Sequence, residues 1–166
     1  MTGSRPVLRG ALRSGLVLMA CVMFEIPTPV SADETDETAL AFVQERKLGD
    51  GLAWLGYQEA SRTAAFASIV ETVGKTKAQE LVQRELQRLQ PDYQAEWNRN
   101  LANAYAHAFT AEELRALSQG AGSSSVVNTF RARNVQVGAE MKANSSALLE
   151  RYVSQSLGNA LHTLKQ

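Results

Sequence analysis

Thr110-Ala111-Glu112-Glu113 places two adjacent carboxylates just behind His107 and Phe109, the arrangement in this chain that comes nearest to acid–base chemistry. A glycosidase-like pair of acids must face each other across a cleft. Neighbours on one helix point about 100° apart around its axis and do not converge in that way. The same residues fit a structural pattern completely. Thr110 followed three residues later by Glu113 is a capping box, in which the threonine oxygen accepts from the third helical amide and the glutamate reaches back to the cap amide. Glu112 falls in the first turn, where the helix dipole favours a carboxylate, and Phe109 can staple onto Leu114. Thr110 and Glu113 are therefore expected to cap a helix, and no catalytic residue is assigned.

The remaining reactive side chains are sparse. His107 follows Glu96, Asn100 and Asn103 around the polar face of a helix and reads as a solvated histidine, with a pH-sensitive contact as the alternative. His162 stands 55 residues further on, without a paired-ligand spacing. The single cysteine is Cys21, so neither a metal site nor a cofactor is expected. The stretches GDGLAWLG (49–56) and GAGSSS (120–125) follow no predicted strand and lack the lysine-serine or lysine-threonine ending of a phosphate loop. The second precedes a helix, so it reads as a hinge whose free amides could hold an anion weakly. Ser123, Ser124 and Ser125 have no nucleophile-elbow motif.

These side chains must be positioned by something, and the first 32 of the 166 residues read as a targeting segment rather than as part of it. Arg5, Arg9 and Arg13 form a basic start, Gly15 to Phe24 an apolar run, and Val30-Ser31-Ala32 a small-residue cleavage site, with cleavage expected between Ala32 and Asp33. The apolar run is about half the ~20 residues of a spanning helix. A lipid anchor at Cys21 is the rival reading, opposed by the apolar residues Val22, Met23 and Phe24 that follow it. Setting aside Arg5, Arg9, Arg13 and Glu25 leaves 14 basic against 16 acidic residues, a net charge of −2, which is no footprint for nucleic acid or an anionic membrane. The expected location is the periplasm, or outside the cell, with no transmembrane segment in the mature chain.

Residues 33–166 are expected to form one all-α domain, a single antiparallel bundle of about five to six helices with a long C-terminal helix. A first helix is predicted over about 35–47, ended by Gly49-Asp50-Gly51. A second, capped by Asp50, should carry Leu52, Leu55, Phe66, Ile69 and Val73 on one face to Gly74. Thr76 should cap a third. Pro91 should open a fourth, since proline is tolerated in a first turn. Behind it Tyr93, Trp97, Leu101, Tyr105 and Phe109 form the strongest helical stripe in the chain. Core packing explains Tyr93, Trp97, Tyr105 and Phe109 best, and a partly exposed partner surface is the alternative. After SQGAGSSS, the residues Val127, Phe130, Asn134, Val137, Met141, Asn144 and Leu148 make a heptad-like seam, which either packs within the domain or uses its buried asparagines to fix register in a homodimer. The last helix either runs straight from Ser124 to Leu164 or bends near Gly138 or Asn144-Ser145-Ser146.

The stretch EWNRNLANAYAHAFTAEELRAL (96–117) resembles a family of exported bacterial helical proteins named only as a domain of unknown function, with an aromatic-rich helix followed by phenylalanine, threonine, two acids and leucine. The matching positions are Trp97, Leu101, Tyr105, Phe109, Thr110, Glu112, Glu113 and Leu114. Family members continue with an aromatic, a small residue and a glycine, where this chain has SQGAGSSS. The resemblance implies a periplasmic all-α domain and brings no activity with it.

The expected function is that of a non-enzymatic exported protein that binds another envelope protein, with a homodimer as one form of this. A carrier of a small apolar ligand, held among Trp54, Tyr57, Trp97 or Tyr105, is the alternative, and an envelope hydrolase using Glu112 or Glu113 the third.

Overall fold

The computed structural model describes residues 32–120 and 124–166, with six helices and no strand among them. The expected cleavage site and Cys21 lie wholly or partly outside the described residues, as do 121–123 of the glycine-serine stretch. The helices are α1 (Ala32–Glu45), α2 (Leu52–Ala60), α3 (Ala64–Val73), α4 (Lys75–Ala108), α5 (Ala111–Ser118) and α6 (Ser124–Thr163). The all-α bundle with a long C-terminal helix is the observed architecture.

Two antiparallel helices, α4 and α6, form its spine. Tyr152 pairs with Leu86 near one end, Asn100 with Ser145 in the middle and Arg133 with Ala108 near the other. Apolar residues recurring at three and four positions make this possible, because they keep one stripe of each helix turned toward the other. Leu81, Val82, Leu86, Leu89 and Trp97 of α4 meet Leu148, Tyr152, Val153 and Leu157 of α6, and α2 and α3 cover them with Leu52, Phe66 and Ile69. A second cluster fills the other end of the spine, where α1 brings Ala39, Phe42 and Val43 against Tyr105, Phe109 and Leu114.

Pro91 does not open a helix; α4 passes through it for 34 residues. A proline inside a helix removes one amide donor and crowds the carbonyl four residues earlier, at a cost of about 3 kcal/mol. Here packing on both sides offsets that cost. Leu86 and Leu89 are buried before the proline and Trp97 after it. The Tyr93 ring lies 5.0 Å from that of Tyr152, and its hydroxyl donates to Gln155 at 2.6 Å. Continuous α6 therefore splints the weak point.

The predicted second helix is two. Ser61 ends α2, and Thr63 opens α3 with extended backbone and a side chain that accepts from the Phe66 amide at 3.2 Å. Asp50 makes no cap: the residue before α2 is Gly51, with no side-chain bond. Thr76 is no cap either, since α4 starts at Lys75, directly after Gly74. Gly74 has φ +82°, a left-handed turn that glycine adopts without Cβ strain. The first helix ends at Glu45, two residues before the predicted stop, and Lys47 takes φ +53° in the turn that follows. α6 is a single helix of 40 residues, unbroken at Gly138 and at Asn144-Ser145-Ser146.

Candidate functional site

The capping box at the start of α5 is complete. Thr110 Oγ1 accepts from the Glu113 amide at 3.2 Å, and the Thr110 amide donates to Glu113 Oε2 at 2.9 Å. The carboxylate is engaged further by α6, where Arg133 Nη1 donates to both Glu113 oxygens at 3.0 and 2.8 Å and to the Ala108 carbonyl at 3.0 Å. The same guanidinium lies 5.4 Å from the centre of the Phe109 ring, a cation–π distance. Arg133 thus ties the end of α4, the start of α5 and α6 into one joint, which the spacing of the cap motif could not reveal. Glu112 is exposed beside a surface depression of about 520 Å³ that also holds His107 and Thr110. His107 pairs with Glu140 of α6, and His162 with Gln166. No group of three or more metal-binding side chains occurs among the described residues.

The aromatic stripe of α4 is core. Trp97, Tyr105 and Phe109 are buried, and Tyr93 is partly so. Phe42 meets Tyr105 edge-on at 5.2 Å, while Phe109 and Phe130 lie 5.7 Å apart. Burial raises the Tyr105 hydroxyl above its ordinary pKa, and pushes that of Tyr152 up to about 12. Tyr152 is fully enclosed and donates to the Leu86 carbonyl at 2.6 Å. The heptad-like seam is only partly covered. Val137, Met141 and Leu148 are buried, but Asn134 and Asn144 are exposed, so the asparagines fix nothing in the core of a single chain. The buried polar members of α6 are Ser145 and Ser156, each hydrogen-bonded.

A groove of about 990 Å³ lies between α2, α4 and α6. Trp97, Leu101 and Tyr105 contribute from α4, and Leu55 and Glu59 from α2. Trp54 and Tyr57 do not line it: Trp54 is 65% exposed, and Tyr57 accepts from Gln79 at 2.8 Å. Of the rings expected to line a small-ligand pocket, Trp97 and Tyr105 do line the groove.

The α6 wall of the groove consists of two neighbouring rows at intervals of four. Val137, Met141, Ser145, Leu149, Val153 and Leu157 form the floor-side row, all buried except the half-buried Leu149. Asn134, Gly138, Lys142, Ser146, Glu150 and Ser154 form the rim, all exposed. From Asn134 to Leu157 the groove follows α6 for ~35 Å at 1.5 Å per residue. Spread over that length, its mean cross-section is about 28 Å², roughly a third of that of a helix ~10 Å across. It is a shallow trough with an apolar floor and a polar edge.

No described helix is long and apolar enough to cross a membrane. Comparison of the chain with family models, with curated proteins and with solved structures finds no match.

Proposed function

We propose that this is an exported, non-enzymatic helical protein that binds a helical segment of another protein chain along the groove between α2, α4 and α6. The observation that carries the reading is the shape of the groove: ~35 Å long and shallow, with an apolar floor. A small molecule in such a trough would stay largely in water, whereas small-ligand sites enclose most of their ligand. An amphipathic helix laid along it would bury its apolar face and keep its polar face wet, the usual helix-in-groove mode. Export to the periplasm or cell envelope is part of this proposal and rests on the charge and hydropathy pattern of residues 1–32 and on the family resemblance.

The test is photo-crosslinking in cells. A benzophenone amino acid is placed at Ser154 on the groove rim and, as a control, at Arg88 on the exposed side of α4. Adducts specific to Ser154 are expected, and Leu149→Arg should abolish them by putting a charge on the floor. Absence of any Ser154 adduct above the Arg88 background would overturn the proposal.

A further inference from the structure

We infer that the helix seated in the groove is α6 of a second copy of this chain, running antiparallel about a two-fold axis at Ser146. The inference rests on the groove reading above and names its partner.

Charge favours a second copy. Four charged residues line the groove. Arg62 and Glu59 neutralise each other at 2.9 Å. Lys142 and Glu150 have no ion pair within the chain among the described residues, both are exposed, and both stand on α6. Eight residues apart, or ~12 Å along the axis, they do not reach each other. A two-fold axis at Ser146, midway between them, sets Lys142 of each copy opposite Glu150 of the other. Any C2 contact is isologous, so one complementary pair is made twice.

Shape favours the same pairing independently of the charges. Val135 is 77% exposed, more than any other large hydrophobic side chain among the described residues. It stands eleven residues from Ser146, close to three full turns, and so on the same side of α6. The column through these residues is Val135, Ala139, Lys142, Ser146, Glu150, Val153 and Leu157, with spacings of 4, 3, 4, 4, 3 and 4. This is the seam spacing of paired helices, and it reads the same in both directions. Antiparallel pairing about Ser146 lays Val135 over Leu157 of the second copy and Ala139 over its Val153. Val135 and Ala139 are exposed, while Val153 and Leu157 lie in the groove floor. Each copy thus offers small apolar knobs at one end of the column and a recess at the other. At the axis the serine of each copy faces its own counterpart, and a side chain that small lets the helices approach closely.

The exported chain, which the expected cleavage after Ala32 leaves without cysteine, is tested by sedimentation equilibrium and by oxidative crosslinking of Ser146→Cys. A dimer is expected. Lys142→Glu should raise its dissociation constant at least ~10-fold, because it turns two attractive contacts into two repulsive ones. The double reversal Lys142→Glu with Glu150→Lys should restore it. Ser146→Cys should form a disulfide with its own copy, and Ser68→Cys on exposed α3 should not. Both charged residues are exposed, and circular dichroism of each variant checks that the fold is kept. A monomer at all concentrations, a dimer indifferent to Lys142→Glu, or a dimer that Ser146→Cys fails to link would each overturn the inference. The photo-adducts at Ser154 separate this failure from that of the groove reading. A product of twice the chain mass supports the second copy; a product of another mass overturns it and leaves the groove reading standing. No product removes both.

Discussion

Replacing Tyr152 by phenylalanine should make the chain less stable at neutral pH and more stable than the parent at high pH. The ring is enclosed between α4 and α6, so the substitution deletes one buried hydroxyl and its bond to the Leu86 carbonyl while keeping the packing. Loss of such a bond costs about 1 kcal/mol. Burial pushes the pKa of the hydroxyl up to about 12 in the folded chain, against 10.0 for a free tyrosine. A raised pKa means that the folded state holds its proton longer, so the stability contribution is intact below pH ~10 and is lost as pH rises toward ~12. At 1.36 kcal/mol per unit, the parent should lose about 1.4 kcal/mol by pH ~11 and about 2.3 by pH ~12 through this group alone. The variant has nothing to ionise there, and other groups cancel in the comparison. The two stabilities should cross between pH ~10.5 and ~11. Urea unfolding followed by circular dichroism, in steps from pH 7 to 11.5, measures the difference directly. A gap between parent and variant that stays constant over that range would show that the hydroxyl is not buried as described.

Three further substitutions test other parts of the architecture. Thr110→Ala removes the cap of α5 and should cost about 1 kcal/mol in urea unfolding, with Glu113→Gln less costly because an amide oxygen still accepts from the Thr110 amide. Gly56→Ala would bring a methyl group to 2.8 Å from the Tyr152 ring and 3.0 Å from Leu86; overpacking of this kind should destabilise by about 1–3 kcal/mol, measured by thermal melting. Pro91→Ala restores an amide donor in the middle of α4 and should raise stability by about 1–2 kcal/mol, the helix gain of ~3 being reduced by ~1 from the looser unfolded chain. An unchanged or lower melting temperature would mean that the amide missing at Pro91 costs packed α4 nothing.

What could be read from the chain depended on whether the cause was local. The FTAEEL stretch was legible because a capping box is complete within a few residues: Phe109, Thr110, Glu113 and Leu114 hold the positions expected of them. The stripe from Tyr93 to Phe109 was legible as core because its period matches the helix. The break at Ser61–Thr63 was not, since it contains neither glycine nor proline, and only the Thr63 hydroxyl marks it. Pro91 misled for the opposite reason. Its local preference is to start a helix, and contacts with residues some sixty positions away overrule it. The strict seven-residue seam failed at its two polar members, Asn134 and Asn144, which are exposed, while the small Ser145 beside the second is buried. The groove belongs to no single segment. Its α6 rows become recognisable only once the sides covered by α4 and α2 are known.

The spine also imposes an order on events during synthesis. The apolar stripe of α4 faces α6, which comes last among the described helices and is 40 residues long. At ~5–20 residues per second, ~3–11 s of translation separate the completion of α4 from that of its main cover. Throughout that interval Leu81, Val82, Leu86 and Leu89 have only α2 and α3 to shield them. A chain exported as proposed would gain from this delay, because it cannot close this core before α6 exists, and an unclosed chain is the form that a translocation channel can thread.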